Sequence, residues 1–341
     1  MQISVEEAHR TALAALMRGG VPEENARTQL DVWMEAELRG HPSHGLLRLP
    51  RIVERIANDV ANPTTKGKSN WKGKALLAVE GEGGLGPVVA NTAIAQISAR
   101  AVTTGIAAAA IRDSNHLGML AVYAERVAEK GQIMLALTTS EALVHPWGGR
   151  FAMVGTNPIA IGVPAKPAPL VLDMATSKVS MGKVHDYANR GEALEPGWAL
   201  DAKGDPTTDA AAARDGAIAP FGDAKGYALG LAFEVLVAGM TASALGRDVK
   251  GTLDSTVRCN KGDLFIVMEP SDAQTVENIG HYLNAIRECE PAHPDRPVQV
   301  PGDRARRSRK ERAGKTLEIA EPVWQRICAL AGEPNNHGGR G

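Results

Sequence analysis

The spacing of apolar and polar residues predicts that the chain opens with helices. Apolar positions recur with a helical period over residues 4–19 and 23–39. Ser4 followed by Glu7 resembles a capping box, and Pro22 stands directly before two glutamates, which is a good helix start. The glycine-bounded loop at 40–45 interrupts the pattern, and a third helix is predicted over 47–58.

Beyond residue 74 the pattern changes repeatedly between short apolar runs and longer helical stretches. The runs predicted as strands are 75–80, 106–111, 133–138 and 264–268, with two more within 155–164 and just before 173–177. The stretches predicted as helices are 87–104, 120–130, 226–244, 273–287 and 317–331, and residues 187–225 are predicted to be rich in loops. Such intermixing predicts an α/β fold of the mixed α+β kind.

The apolar stretch at 226–244 is long enough to raise the question of a membrane span. It contains Glu234 and several small residues, which favour a buried core helix instead. We therefore expect no membrane partner.

Composition narrows the class of protein. The chain has 341 residues, 44% of them apolar, and a net charge of -1, which suits a sizeable core and argues against a general nucleic-acid binder. The basic run at 304–312 contains no aromatic residue and is interpreted as a solvated helix face. The N-terminus shows no signal-peptide pattern, and the three cysteines are widely spaced. We expect a cytoplasmic protein with reduced thiols and no metal site.

A glycine-rich segment at 81–86 matches the G-x-G-x-x-G pattern of dinucleotide-binding proteins. It follows a predicted strand and precedes a predicted helix, as that fingerprint requires. The acidic residue that should end a second strand about 20 residues later is missing, because the next strand runs on to Arg112 and Asp113. We interpret the segment as a tight turn without a ligand.

Three short clusters carry side chains suited to chemistry on an organic acid. His44 and Arg48 could face one cleft, where an imidazole transfers protons and a guanidinium grips a carboxylate. His116 follows a buried strand, and Lys225 begins the long apolar helix, where its charge adds to the helix dipole. Each cluster also has a plain structural interpretation: a capping serine with a surface arginine, a helix N-cap, and a solvated lysine.

The strands within 155–164 and before 173–177 stop in clusters of Gly, Asn, Pro, Thr and Ser. Such strand ends present backbone N–H groups and hydroxyls that suit a polyanionic ligand. Two ordinary strand ends with tight turns are the alternative interpretation.

Taken together, these motifs resemble one known family. Six segments occur in its order and spacing: Ser43-His44-Gly45-x-x-Arg48, Ser114-Asn115-His116-x-Gly118, Gly155-Thr156-Asn157-Pro158, Asp173-Met174-Ala175-Thr176-Ser177, Lys225-Gly226-Tyr227 and Pro301-Gly302-Asp303-Arg304. Over residues 3–331 the chain resembles the malate/L-lactate dehydrogenase family of the non-Rossmann type. This family includes malate, sulfolactate, ureidoglycolate and diketogulonate dehydrogenases and the piperideine-2-carboxylate reductases. The segments at 196–209 and 250–263 look most like the malate and sulfolactate branch.

The resemblance implies a fold and an assembly. The fold would be a non-Rossmann NAD(P)-binding core with a largely antiparallel sheet, and the protein a homodimer with its active site near the subunit interface. Residues 1–70 would form a helical segment that packs with 300–335. Residues 71–299 would form the core with the cofactor and substrate site. The polar, glycine-rich composition of the last residues separately predicts a disordered tail at 336–341.

The resemblance also implies site residues. His44 and His116 are the catalytic acid–base candidates, and Ser43, Arg48 and Thr156 would bind the substrate. The cofactor, NAD or NADP, would contact Ser140, Asp173, Met174, Ala175, Thr176, Lys225, Gly302, Asp303 and Arg304. Asp303 stands where many members have Glu, which removes no proposed catalytic group.

The predicted activity is NAD(P)-dependent hydride transfer between nicotinamide and C2 of a small 2-hydroxy or 2-keto acid, malate- or sulfolactate-like. A reductase of a cyclic or N-alkyl imino acid, of the piperideine-2-carboxylate type, needs the same carboxylate clamp and stays open as an alternative. A non-catalytic cofactor-binding scaffold is the third possibility. The choice between NAD and NADP stays open, and we favour His44 over His116 as the proton donor.

Overall fold

The computed structural model describes residues 1–333, so the tail predicted at 336–341 lies outside the described residues. The predicted mixed α/β fold with a largely antiparallel sheet is confirmed. The helices are α1 (Val5–Arg18), α2 (Glu23–Leu38), α3 (Leu49–Ala57), α4 (Gly86–Thr104), α5 (Leu120–Glu129), α6 (Met181–Arg190), α7 (Ala210–Ala213), α8 (Ala224–Thr241), α9 (Ala273–Arg287), α10 (Asp303–Arg312) and α11 (Glu321–Ala331). The strands are β1 (Gln2–Ser4), β2 (Lys68–Trp71), β3 (Leu76–Glu80), β4 (Ile106–Arg112), β5 (Ile133–Thr138), β6 (Ile159–Val163), β7 (Leu170–Met174), β8 (Ala199–Leu200), β9 (Pro206–Thr207), β10 (Ala217–Ile218), β11 (Gly262–Met268) and β12 (Thr316–Glu318).

A seven-stranded sheet in the order β2-β3-β4-β11-β5-β6-β7 forms the centre of the fold. Strands β3 and β4 pair in parallel, and the other neighbours in this sheet pair antiparallel. Helices α4 and α5 cover one face, where alternate residues such as Ala107 and Ala109 enter the largest apolar core. Helix α8 packs on the opposite face, towards which Ala108 points.

The N-terminal elements pack against the last elements that the structure describes. Strand β1 pairs antiparallel with β12, with Ile3 opposite Leu317, and α1 packs against α11. A second apolar core, which includes Leu16, Leu30 and Trp324, holds these elements together with α2 and α3. The predicted boundaries of the domains stay a prediction.

The predicted start of α1 is confirmed, because the Ser4 hydroxyl accepts from the Glu7 N–H at 3.1 Å. The helix predicted over 317–331 begins only at Glu321, with Pro322 in its first turn, and Leu317 belongs to β12 instead. The third helix begins at Leu49, after short 3₁₀ turns at Pro42–His44 and Leu46–Arg48. The region 187–225 is less loop-rich than predicted, since it includes α7, the end of α6 and the small sheet of β8, β9 and β10.

The prediction of a buried helix at 226–244 is wrong for the single chain. The face of α8 that packs on the sheet carries mainly small residues, so the helix lies close to the sheet and its large apolar side chains point away. The buried residues of α8 are Gly226, Gly230, Glu234, Val237, Ala238 and Thr241. The large residues with exposed fractions of 38–56% are Leu229, Leu231, Val235, Leu236 and Met240. Within residues 1–333, no helix is long and apolar enough to cross a membrane.

Candidate active site

Most of the predicted site segments lie at one end of the central sheet, where several strands begin or end. Antiparallel pairing places the C-terminal ends of β4, β5 and β7 at the same edge as the N-terminal ends of β6 and β11. His116 follows β4, Ser140 follows β5, Asn157 precedes β6, Thr176 follows β7 and Lys261 precedes β11. The sheet topology therefore gathers residues that are far apart in the sequence.

The structure brings the two predicted catalytic histidines together. The ring centroids of His44 and His116 lie 5.5 Å apart. Nδ1 of His44 is 3.0 Å from the Ser43 hydroxyl oxygen, and Nε of Arg48 donates to the Ser43 carbonyl at 2.8 Å. The backbone N–H of Gly118 donates to Nδ1 of His116 at 3.0 Å. His116 and Arg48 line the same pocket.

Electrostatics keep both imidazoles neutral in the free protein. Burial, with the charges of Arg48 and His41 adding, lowers the pKa of His44 to about 4. Burial and then the Arg48 charge hold the pKa of His116 well below its usual range. Burial and the neighbouring Arg51 lower the pKa of Arg48 to about 10, so this guanidinium still carries its charge at neutral pH. The site combines neutral imidazoles with excess positive charge, which suits an anionic ligand.

Helix α2 fixes the loop that carries His44. The Glu37 carboxylate accepts from the backbone N–H of Leu46 at 2.7 Å. A Cβ on residue 45 would collide with the Glu37 side chain, so Gly45 lets this carboxylate approach the loop closely. The loop therefore packs directly on a buried acid, and burial raises the pKa of Glu37.

The glycine-rich segment 81–86 supports the His116 loop. The N–H groups of Gly81 and Gly83 donate to the carbonyls of Arg112 and Asp113, each at 2.8 Å. The backbone N–H of Asn115 donates back to the Gly84 carbonyl at 2.9 Å. These two glycine N–H groups are used inside the protein, which agrees with a turn without a phosphate ligand.

Replacing Gly81 or Gly83 with alanine is expected to lower folding stability and to leave cofactor affinity nearly intact. A Cβ at 81 would lie 2.7 Å from the Arg112 carbonyl oxygen, and Gly83 has φ +70. Thermal unfolding and titration with NADH and NADPH measure the two effects separately. A selective, large loss of dinucleotide binding in a well-folded variant would restore the Rossmann interpretation.

A buried ion pair at the start of β11 was missed at the level of sequence. The Lys261 ammonium pairs with the Asp263 carboxylate, and both side chains are buried. The Ser114 hydroxyl donates to Asp263 at 2.8 Å, and the Lys261 charge also lowers the pKa of His116. The available signal in the sequence was a Lys and an Asp two residues apart at the start of an apolar strand. Such a pair lies on one face of the strand, and buried charges need partners.

Some residues predicted to contact the cofactor form a hydroxyl cluster. The Ser140 and Thr156 hydroxyl oxygens lie 3.1 Å apart, and the Thr176 hydroxyl donates to the Thr156 carbonyl at 2.9 Å. Thr156, predicted to bind the substrate, thus contacts Ser140 and Thr176, which were predicted to contact the cofactor. The backbone N–H of Phe221 donates to the Thr176 carbonyl at 3.1 Å, which places the start of α8 and Lys225 close by. Met174 and Ala175 are half-buried in the same stretch.

The Gly302 to Arg304 stretch lies apart from this cluster. The Val171 N–H donates to the Pro301 carbonyl at 3.2 Å, near the start of β7, whereas Thr176 follows its end. Arg304 contributes its charge to lowering the pKa of His41, so it lies on the side of the His44 loop. Arg304 and Lys225 are exposed, and within residues 1–333 neither has a hydrogen bond or ion pair through its side chain.

Two acids predicted to contact the cofactor have structural partners. The Asp173 carboxylate accepts from the Ala121 N–H at 2.7 Å, in the first turn of α5, and burial raises its pKa to about 6. The Asp303 carboxylate accepts from Arg287 at 2.8 and 2.9 Å and from Arg306 at 2.9 Å. The Arg287 contact, chiefly, lowers the pKa of Asp303 to about 2.

Comparison with known proteins adds independent findings. A family model described as malate/L-lactate dehydrogenase matches residues 3–328. The malate/(S)-sulfolactate dehydrogenase of Methanothermus fervidus is 33% identical over 339 residues, covering 98% of each chain. The (2R)-3-sulfolactate dehydrogenase (NADP(+)) of Chromohalobacter salexigens is 35% identical over 337 residues, covering 96% of this chain and 98% of that one.

A solved structure agrees over nearly the whole length. The crystal structure of a dehydrogenase from Sinorhizobium meliloti is 49% identical and superposes with a TM-score of 0.94, covering 97% of this chain and 98% of that one.

Proposed function

Because this chain belongs to the malate/L-lactate dehydrogenase family and is an NAD(P)-dependent dehydrogenase, we propose that it acts on a malate- or sulfolactate-like 2-hydroxy acid. The observation that carries this proposal is the pocket lined by the charged Arg48 and by neutral His116, with the ring of neutral His44 5.5 Å from that of His116. A guanidinium holds a carboxylate in two-point geometry, which leaves C2 and its oxygen close to the imidazoles.

The hydrogen bonds of the two histidines support different roles for them. A backbone N–H can only donate, so Nδ1 of His116 must be the acceptor of the Gly118 N–H. The ring is therefore neutral with its proton on Nε2, and taking up a second proton would break this bond. His116 thus acts as a neutral hydrogen-bond donor that orients and polarises the substrate oxygen. In other enzymes, a histidine whose pKa is lowered by a helix N-terminus polarises a carbonyl in the same neutral form.

His44 has the partner that proton transfer requires. A serine hydroxyl can either donate or accept, so Ser43 supports both the neutral and the protonated imidazole of His44. Nε2 of His44 can then give a proton to the substrate oxygen during reduction and take it back during oxidation. A carboxylate bound to Arg48 would offset the charge that lowers the pKa of His44, which raises this pKa towards neutrality when substrate binds.

The hydroxyl cluster and the side chains of Lys225 and Arg304 suit a phosphate-bearing cofactor. Within residues 1–333, neither cation has a partner. Ser140 and Thr176, with Met174 and Ala175 beside them, would hold one part of the nicotinamide dinucleotide, and Lys225 would neutralise a phosphate. Gly302 and Arg304 would hold another part, with Asp303 fixing their turn and Asp173 capping α5. When bound, the cofactor supplies or accepts the hydride at C2 of the acid.

The experiment that tests this proposal is a panel of oxaloacetate, sulfopyruvate, pyruvate and a cyclic imino acid, each with NADH and NADPH, followed by nicotinamide absorbance. We expect the highest kcat/KM with one of the two diacids. Reduction of the imino acid alone would assign the chain to the piperideine-2-carboxylate type. A well-folded protein that reduces none of them would favour the scaffold interpretation.

The exposed apolar side of α8 supports a homodimer. Helix α8 leaves residues on its face of the central sheet, such as Leu135, Ile159 and Ile266, only partly buried. An exposed apolar patch of this kind marks an interaction surface. Because the start of α8 lies next to Thr176, a second copy on this face would bring the subunit interface close to the proposed site.

Replacing Val235 with glutamate is expected to convert the dimer to a monomer. Val235 is 56% exposed on the apolar side of α8, and a charge there opposes burial in an interface. Light scattering after gel filtration measures the mass. Val102→Glu provides the control, since Val102 is exposed on α4, on the opposite face of the sheet. A wild-type monomer, or an unchanged dimer in the Val235 variant, would contradict this interface.

A further inference from the structure

The pocket beside His116 contains two groups that the proposed reaction leaves unused. Arg51, on α3, and Gln29, on α2, line this pocket together with Arg48 and His116. Arg48 and Arg51 are three residues apart, so they lie about one helical turn from each other.

The other cations around this pocket each have at least one partner within the protein. Arg48 donates through Nε to the Ser43 carbonyl, and Lys261 pairs with Asp263. Arg55 donates to the Asn115 side-chain oxygen at 2.9 Å and also to the Asp254 carbonyl. Within residues 1–333, no hydrogen bond or ion pair involves the Arg51 side chain. The positive charge of Arg51 lowers the pKa of Arg48 and of His116, and no described acidic group neutralises this charge within the site.

Gln29 carries a buried donor without an acceptor. Its side chain is 1% exposed, and Nε2 has no hydrogen-bond partner among the described residues. A buried donor left unsatisfied lowers the stability of the folded state. A ligand oxygen in the pocket would remove this cost, whereas an apolar ligand would not.

We propose that Arg51 and Nε2 of Gln29 bind the second acidic group of the substrate while Arg48 binds the carboxylate next to C2. This inference rests on the proposed function and extends it to substrate choice. Two arginines about one turn apart suit a diacid whose acidic groups are separated by two carbon atoms, whether the second is a carboxylate or a sulfonate. A monoacid such as pyruvate leaves the charge of Arg51 and the Gln29 donor without a partner, so the site selects the diacid.

The test compares kcat/KM for oxaloacetate, sulfopyruvate and pyruvate in Arg51→Met, Gln29→Leu and Arg51→Lys. We expect Arg51→Met to lower the diacid-to-pyruvate ratio of kcat/KM by about 10–100-fold, as for a hydrogen bond to a charged group. Gln29→Leu should lower it by about 10-fold without lowering the melting temperature, because an unsatisfied donor is removed. Arg51→Lys should restore part of the ratio. Arg27→Met, which removes a surface arginine on α2, is the matched control.

A binding measurement separates failure of this inference from failure of the proposed function. Calorimetric titration with succinate and with butyrate needs no turnover. We expect the wild type to bind succinate more tightly and Arg51→Met to lose that preference, even if no acid in the panel is reduced. Equal affinity of the wild type for both acids, or equal losses on oxaloacetate and pyruvate in Arg51→Met, would overturn the subsite.

Discussion

Replacing His44 with alanine is expected to lower kcat by about 10²–10⁴-fold while the protein stays folded and still binds the nicotinamide cofactor. The reason is that Nε2 of His44 is the proposed proton donor, with Ser43 supporting both of its protonation states. His116→Gln should raise KM more than it lowers kcat, because a glutamine amide can still donate a hydrogen bond.

The pH dependence distinguishes the two histidines. Reduction needs protonated His44, and burial with the Arg48 charge lowers the pKa of this group to about 4 in the free protein. Log kcat/KM for keto-acid reduction should therefore fall with a slope of about -1 as the pH rises from about 5 to about 8. Oxidation needs neutral His44 and should lose kcat/KM only as the pH falls towards 4.

In His44→Ala the slope for reduction should be nearly flat, whereas His116→Gln should retain it. A slope that disappears with His116 and persists without His44 would exchange the two roles. If neither substitution slows turnover, the proposed acid–base chemistry is wrong.

Replacing Arg48 with lysine is expected to raise KM and to lower kcat/KM by about 2–4 kcal/mol of transition-state stabilisation. Arg48 uses Nε on the Ser43 carbonyl, which leaves its two terminal nitrogens for the substrate carboxylate. A lysine keeps the charge but loses this two-point geometry.

The control for Arg48→Lys is Arg27→Lys, an exposed position on α2 paired with Glu23. Melting temperatures of both variants show whether the Ser43 contact affects stability. Unchanged kcat/KM in Arg48→Lys would remove Arg48 from the site.

Local signals predicted much of the fold. The Ser4 cap, the apolar runs of β4 and β5 and the bounds of α9 depend on neighbouring residues, and the structure agrees with them. Leu317 was predicted to begin a helix but lies in β12. Its pairing partner is Ile3, more than 300 residues away in the sequence, and neighbouring residues carry no signal of such a pairing. Helix α8 was expected to be buried because hydropathy does not show which side packs against the sheet.

The candidate site divides in the same way. His44, Arg48 and His116 could be named from motifs with reactive side chains, and the structure brings them together. Gln29 and Arg51 carry no motif. Gln29 is one polar position on a helix that is buried on most sides, and its missing partner is visible only in three dimensions.

The most direct test of the central claim is a crystal structure of the protein with nicotinamide cofactor and oxamate, a 2-keto acid analogue that is not reduced. We expect the oxamate carboxylate on the two terminal nitrogens of Arg48, and its keto-equivalent oxygen within about 2.6–3.2 Å of Nε2 of His44. A carboxylate bound away from Arg48, or an oxygen out of reach of His44, would contradict the proposed mechanism.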